Sequence, residues 1–187
     1  MGNLHKNAVI VGLVVLCLAS VSHAEDRIRI VQHKASPLRL AAQVERPDIS
    51  STFDGQIWVS GTLIGDWVGG VDNMKYKSPD FSFVPDAPTI TKLPYYVLNE
   101  PPYFRRYKVK VIEVLNGADA LSAALGDKTV QELLNRKLPR LKATGAFLLT
   151  AYQVGVECDA PWAKAKLVKA KLPQQLASMH LEAPEKC

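Results

Sequence analysis

Residues 93–107, LPYYVLNEPPYFRRY, concentrate the side chains that most often mediate recognition. The segment holds four tyrosines, one phenylalanine and two arginines, and tyrosine and arginine each combine a flat apolar body with a polar end. Its three prolines favour an extended backbone that costs little entropy to order. We predict that a partner-binding surface is formed by Tyr95, Tyr96, Tyr103, Phe104, Arg105 and Arg106. The alternative is that the aromatic rings pack beneath a loop while the arginines remain in solvent.

No segment carries a motif that is typical of catalysis. The sequence lacks G-x-S-x-G, H-E-x-x-H, C-x-x-C and a phosphate-binding glycine loop. We therefore predict no catalytic residue, no metal site and no cofactor. Asp66 and Asp72 lie close together beside Gly69 and Gly70, but without the spacing of a calcium loop. A carboxylate site near these two aspartates is the alternative, and it would make the protein an envelope hydrolase.

The first 24 residues have the pattern of a signal peptide. Lys6 precedes an apolar run over residues 8–19, and Ser22 and Ala24 occupy the −3 and −1 positions of a small-residue cleavage site. The run is shorter than the roughly 20 residues that span a bilayer. We predict cleavage after Ala24 and a secreted or periplasmic protein that does not span the membrane; an uncleaved anchor is the alternative.

Export changes the interpretation of the two cysteines that remain, Cys158 and Cys187. In an oxidising compartment an even pair predicts a disulfide, which would tie the C-terminal tail to the domain. The bond would close a ring of about 30 residues and contribute about 3.6 kcal/mol by the chain-entropy relation. A catalytic thiol or a metal site is the alternative, and only His33 and His180 could assist it, at no common ligand spacing.

Charge is distributed unevenly along the exported part of the chain. Residues 25–100 carry 8 Lys and Arg against 10 Asp and Glu, whereas residues 101–187 carry 14 against 8. A net charge of +6 in the second half can draw the protein to anionic envelope surfaces, or it can simply keep the chain in solution. A basic domain can also bind nucleic acid, but export makes that partner unexpected, and we predict none.

Hydrophobic alternation predicts strands over 27–31, 38–44, 56–65, 106–117, 145–158 and 163–172. Within 145–158, alternate residues from Leu148 through Val156 should lie on one side. The last strand changes register, so we expect a bulge near Leu167. Residues 66–102, rich in Gly and Pro, should be loop-rich with short extended pieces. A helix should end at Gly126, and Thr129 with Glu132 forms a capping box for a second helix. Core or loop-anchoring positions are expected for Trp58, Trp67 and Trp162.

This order predicts a single domain over residues 25–187 that is mainly β with one helical insertion, an α+β class. A small OB-like, Greek-key β-barrel is the expected architecture, with an open β-sandwich as the alternative. The EVLNG strand end at 113–117, followed by a later cysteine, is similar to netrin-like domains of secreted proteins over residues 38–172. That resemblance implies a fold and no functional residue.

Together these features predict a non-enzymatic secreted or periplasmic binding or accessory domain. Its ligand would be a protein partner or an anionic envelope component. The predicted surface joins the aromatic and arginine segment to lysines at 108, 110, 164, 166, 169 and 171.

Overall fold

The computed structural model describes residues 28–44, 49–68, 70, 72, 75–100, 103–158 and 160–171. The predicted signal peptide and Cys187 lie outside these residues. Across the described part of the chain, no helix combines the length and apolar character needed to cross a bilayer.

The protein is mainly β with a few short helices, so the predicted α+β class is confirmed at this level. Its elements in chain order are β1 (Ile28–Val31), β2 (Arg39–Val44), β3 (Ile49–Asp66), β4 (Asp80–Pro85), α1 (Ala87–Ile90), β5 (Tyr95–Glu100), β6 (Tyr103–Tyr107), β7 (Ile112–Val114), α2 (Gly117–Leu125), α3 (Asp127–Leu134), β8 (Arg140–Glu157) and β9 (Ala160–Lys171). The region over 66–102 contains two short strands, β4 and β5, which agree with the short extended pieces predicted there.

The strands pair in two groups. β5 lies between β1 and β6 in a three-stranded antiparallel sheet. The larger group runs in the order β2-β3-β4-β7-β9-β8, and β3 also pairs with β8. The pairings β3-β4-β7-β9-β8-β3 therefore form a circuit, which we call the ring. Its neighbours are antiparallel except β7 and β9, which are parallel.

The long strands β3 and β8 form most of the ring and contribute many of the core side chains. Odd-numbered residues of β3 such as Phe53 and Leu63 face inward. In β8 the inward face changes from Phe147 to Tyr152, because Ala151 adopts φ 50° and the register shifts between Thr150 and Gln153. The predicted alternation from Leu148 through Val156 on one side is therefore wrong for Leu148 and Thr150, which lie on the outer face. That single inserted residue is a β-bulge.

The predicted strand over 106–117 is broken in the structure. β6 ends at Tyr107 and β7 begins only at Ile112, and Val111 is 50% exposed although Tyr107 and Val109 are buried. The short β7 is extended by a side chain: Nδ2 of Asn116 donates to the Leu167 carbonyl and Oδ1 accepts from its amide, each at 2.9 Å. Asn116 thus substitutes for the next backbone pairing between β7 and β9.

The helical insertion lies between β7 and β8. α2 ends before Gly126 as predicted, but α3 begins at Asp127 with Gly126 as its N-cap residue. Thr129 and Glu132 therefore lie inside the helix, and the predicted capping box is wrong. Val130 and Leu133 are buried on the expected face.

Two buried tyrosines join the small sheet to the ring. The Tyr96 hydroxyl lies 2.6 Å from the Ser51 hydroxyl, and the Tyr152 hydroxyl donates to the Pro94 carbonyl at 3.0 Å. Burial raises the pKa of Tyr152 well above its ordinary range, so it remains a neutral donor. These bonds satisfy polar atoms that would otherwise be costly to bury.

Candidate functional site

The aromatic and arginine segment forms the hairpin of β5 and β6. Tyr96 is fully buried, and its hydroxyl is already bonded to Ser51, so its predicted role in a binding surface is wrong. Tyr95 is half-buried, with the Lys108 ammonium 5.8 Å from its ring centre. The side chains of Tyr103 and Phe104 lie outside the described residues.

The two arginines of this segment are both exposed but do not form one cluster. Arg105 pairs across the sheet with Leu98, and Arg106 pairs with Val97. Successive residues of a strand point to opposite faces, so the two guanidinium groups extend from opposite sides of the hairpin. The described side chains of the segment therefore lie on both faces of the hairpin, and the part of the prediction that concerns Tyr103 and Phe104 stays a prediction.

The remaining predicted positions, which are the two aspartates of the alternative carboxylate site and the cysteine of the predicted disulfide, do not form a shared site. Asp66 accepts a hydrogen bond from Nε of Arg140 at 3.0 Å, so its carboxylate is paired, and Asp72 is exposed. The described residues contain no group of three or more His, Cys, Asp or Glu side chains that could hold a metal. Cys158 is exposed, with φ 46°, in the turn after β8. Its predicted partner Cys187 is outside the described residues, and the disulfide stays a prediction.

Two outward faces of the ring carry tryptophans, and the first surrounds Trp162. We define the Trp162 surface as Phe81, Val111, Glu113, Leu115 and Trp162, which line a cleft of about 720 Å³ between β4, β7 and the start of β9. Val111 and Leu115 are 50% and 47% exposed and flank Glu113 as alternate residues. This surface therefore presents aliphatic side chains to solvent beside an aromatic ring.

Glycines hold both aromatic rings of the Trp162 surface in place. A Cβ added at Gly155 would lie 2.4 Å from the Trp162 ring, and one at Gly117 would lie 2.0 Å from Cγ of Phe81. Each ring thus packs directly on a glycine backbone, a contact that any larger residue would prevent. The aromatic wall of the cleft is formed before any ligand arrives.

Charges at the Trp162 surface are largely compensated. Glu113 pairs across the strands with Lys164 and forms a salt bridge to its ammonium at 3.0 Å. The same ammonium lies 6.0 Å from the centre of the Trp162 ring. Asp80 also lines the cleft, so this surface carries no excess of positive charge.

The second face surrounds Trp58. The strand registers place Trp58, Leu148 and Lys169 in one outward row, and Ser60, Ala146 and Lys171 in the next. We define the Trp58 face as the outer side of the ring formed by these two rows together with Thr62 and Thr144.

Trp58 differs from the other two tryptophans. It is 38% exposed, with the Lys171 ammonium 4.4 Å from its ring centre, so its predicted core position is wrong. Trp67 is buried, and its Nε1 donates to the Leu133 carbonyl at 2.7 Å, as expected of a core residue. Trp162 is half-buried.

A cleft of about 590 Å³ lies on the Trp58 face and is bordered by a hydrogen-bonded aspartate. The Ser60 hydroxyl donates to Oδ2 of Asp86 at 2.5 Å, and the Thr89 amide donates to Oδ1 at 2.8 Å. The Ser60 hydrogen bond is the main cause that lowers the pKa of Asp86, and Thr89 and Lys92 add to it against a partial desolvation. Asp86 is therefore a fixed, ionised acceptor beside a lysine-rich surface.

The sequence predicted neither the Trp162 surface nor the Trp58 face as a single group of residues. The lysines of β9 were part of the predicted surface, but their common face depends on the bulge between Leu167 and Lys169. The bulge near Leu167 was predicted and is confirmed. Even-numbered polar residues in 56–66 were the available signal that β3 has one solvent-facing side. In comparisons with protein-family models, curated proteins and solved structures, nothing matched the chain.

Proposed function

We propose that the protein is a non-enzymatic secreted or periplasmic binding domain that recognises a protein partner through the Trp162 surface. The observation that carries the proposal is the solvent-exposed pair Val111 and Leu115 beside Trp162, whose ring is already seated on Gly155. Exposed apolar side chains next to an aromatic ring and interspersed with polar groups are typical of protein interfaces.

The charges near this surface support a protein rather than an anionic envelope component. Glu113 compensates Lys164 at 3.0 Å, and the cleft also contains Asp80. Among the described lining residues, a phosphate or carboxylate polymer would meet the carboxylates of Asp80 and Glu113. A partner with apolar side chains and a few polar groups would lose little on desolvation.

The pairing order supports a closed OB-type barrel as the scaffold. Five strands neighbour one another in the circuit β3-β4-β7-β9-β8, and α2 and α3 lie between the third and fourth of them along the chain. That arrangement is the plan of an OB barrel, with the parallel pair β7 and β9 at its closure. In such barrels the second and third strands and the adjoining loops form the usual binding face, and the Trp162 surface occupies that position.

Export with removal of residues 1–24, and a Cys158–Cys187 disulfide, belong to the same proposal. The exposure of Cys158 in the turn after β8 leaves its sulfur accessible to a tail that follows β9. Peptide mass mapping of the exported protein without reduction tests both: we expect an N-terminus at residue 25 and a peptide linked through the two cysteines. An intact leader or two alkylated thiols would contradict these parts of the proposal.

The binding proposal is tested by replacing its exposed aliphatic side chains. We expect Val111→Ser with Leu115→Ser to abolish capture of the protein partner from the envelope or medium of the producing cells. The double variant Leu40→Ser with Val44→Ser is a matched control on β2, since these residues are 45% and 51% exposed. It should capture the partner as the wild type does, with equal thermal stability of both variants.

The outcomes separate the candidate surfaces. Retained capture by the Val111 and Leu115 variant, or loss only in the β2 control, would show that the partner binds elsewhere. If the Val111 and Leu115 variant loses partner capture because it unfolds, Glu113→Gln serves as the second variant. It removes a rim charge and should change the rate of association more than it changes the fold.

A further inference from the structure

We infer that the Trp58 face is a second binding site, independent of the Trp162 surface, and that it takes an acidic saccharide chain bearing uronate carboxylates. The two sites share no residue. The strand registers bring the groups of this face to one side of the ring.

Positive charge exceeds negative charge on the Trp58 face. The outward rows of β9 present exposed lysines at 166, 169 and 171. Two carboxylates near this face already have partners: Asp66 is paired with Arg140, and Asp86 is bonded to Ser60 and Thr89. The remaining positive field draws carboxylate groups to the face.

The bulge in β9 is what places two of these lysines outside. Ala163, Ala165 and Leu167 are odd-numbered and point into the core, and an unbroken alternation would send Lys169 and Lys171 inward as well. The extra residue between Leu167 and Lys169 reverses the alternation. Lys169 and Lys171 therefore lie in the outward cross-strand rows that contain Trp58 and Ser60. The lysine surface is thus a defined product of the register rather than a random scatter of solvated charges.

The cleft between these lysines and β4 contains both donors and acceptors. The Thr62 and Thr144 hydroxyls lie 2.9 Å apart, and Asp86 adds a carboxylate next to the Ser60 hydroxyl. Sugar hydroxyls donate and accept hydrogen bonds, so they suit such a mixed lining. The phosphate oxygens of a lipid headgroup or a nucleic-acid backbone only accept hydrogen bonds, so they can use the lysines but not the Asp86 acceptor, whereas a uronate unit also carries hydroxyls that can donate to Asp86.

The exposed ring of Trp58 supplies a flat apolar surface next to the cationic one. The Lys171 ammonium lies 4.4 Å from the ring centre and also lines the cleft, so the ring holds that charge at the edge of the site. A uronate unit has a carboxylate for Lys171, hydroxyls for the cleft and C–H groups for the exposed part of the ring. The arrangement therefore combines the three kinds of contact that this ligand offers.

The test measures binding of polygalacturonate oligomers to the whole protein in the form that its cells produce. Dextran is the neutral saccharide probe, and phosphatidylglycerol vesicles and duplex DNA are the phosphate probes. We expect binding of polygalacturonate and no measurable binding of dextran. Tighter binding of vesicles or DNA than of polygalacturonate would overturn the inference, because it would identify a general phosphate surface.

Variants locate the site. Lys169→Gln with Lys171→Gln should weaken polygalacturonate binding about tenfold, since two charge-assisted contacts are lost. Trp58→Ala leaves the net charge unchanged and should weaken binding about fivefold through loss of the ring. The matched control, Lys128→Gln with Lys137→Gln, removes two exposed lysines of α3 and its C-terminal turn and should change affinity less than about twofold.

Equal loss in the α3 control, or unchanged binding by Trp58→Ala, would show that the protein attracts polyanions without a defined site. Partner capture by these variants provides an independent readout. It should persist in all of them, so failure of the saccharide site leaves the proposal for the Trp162 surface intact.

Discussion

Trp162 and Trp58 lie on the outside of the same ring of strands, yet their neighbours differ. The Trp162 ring rests on Gly155, and the charges beside it are compensated by the salt bridge between Glu113 and Lys164. The Trp58 ring lies under Lys171, in a row that ends in Lys169. One residue type therefore occupies an apolar, neutral surface at one place and a cationic, hydroxyl-lined surface at the other.

Because the neighbours of Trp162 and Trp58 differ, a tryptophan does not define a ligand by itself. β9 passes both sites. Before the bulge, its alternation places Lys164 opposite Glu113. After the bulge, it places Lys169 and Lys171 on an outer face whose cleft is bordered by Asp86. The cross-strand neighbours decide the net charge of each surface, and the charge decides which class of ligand loses least on desolvation.

The largest expected effect comes from removing the seat of Trp162. Gly155→Ala puts a Cβ 2.4 Å from the Trp162 ring and 2.7 Å from the Ile49 carbonyl oxygen, so the ring and the backbone must both shift. We expect a loss of about 1–3 kcal/mol in the free energy of unfolding, as overpacked cores show. Urea denaturation measures it; partner capture should be lost while polygalacturonate binding is retained.

A double-mutant cycle separates the ring from the backbone in that experiment. Trp162→Ala in the Gly155→Ala background removes one of the two overlaps, so the combined loss should be smaller than the sum of the single losses. Additive losses would mean that Trp162 is not held by Gly155, and the contrast between a preformed and an open aromatic surface would fail.

Much of the strand content was predictable, because alternation is a local signal. Residues 27–31 and 38–44 become β1 and β2, and the register change in 163–172 appears as the bulge after Leu167. The bulge at Ala151 was not predictable: an alanine with φ 50° has no side-chain signature, and only the pairing of β8 with both β3 and β9 imposes it. The same is true of β7, whose three residues are fixed by partners distant in sequence.

The surfaces were less predictable than the strands. Composition marked Tyr96 and Arg106 as recognition residues, but composition does not say which face of a strand is covered; Tyr96 proves to be core. Trp58 was expected inside because its strand carries apolar residues on both faces. Tertiary pairing decides these orientations, and it brings together residues such as Trp58 and Lys171 that are more than a hundred positions apart.

Salt should separate the two surfaces with an intermediate effect. Raising ionic strength from about 0.1 M to 1 M shortens the Debye length from about 10 Å to about 3 Å. Polygalacturonate binding at the Trp58 face should then weaken about tenfold or more, whereas partner capture at the Trp162 surface should change less than about twofold. Titration calorimetry at both salt concentrations measures the first, and quantitative pull-down measures the second. Equal salt sensitivity of the two would remove the electrostatic distinction between them.

The smallest expected effect concerns Asp86, which borders the cleft on the Trp58 face and does not line the cleft at the Trp162 surface. Ser60→Ala deletes the main hydrogen bond that lowers the Asp86 pKa from its ordinary value of 3.8, so the pKa should rise towards that value. Because the folded-state pKa is the lower one, Asp86 stabilises the fold above the unfolded-state pKa, and that contribution is lost as pH falls through the folded-state pKa. The variant should therefore be slightly less stable than the wild type near neutral pH, and the two should converge in acid.

An NMR titration of the Asp86 carboxyl carbon reads this pKa directly. Thr62→Ala is the matched control, since its hydroxyl bonds to Thr144 instead of Asp86 and its loss should leave the Asp86 pKa in place. An unchanged pKa in Ser60→Ala would mean that the Ser60 hydroxyl does not stabilise the ionised carboxylate. The acceptor that distinguishes a saccharide cleft from a simple lysine surface would then lack its support, and the Trp58 face would differ from the Trp162 surface in net charge only.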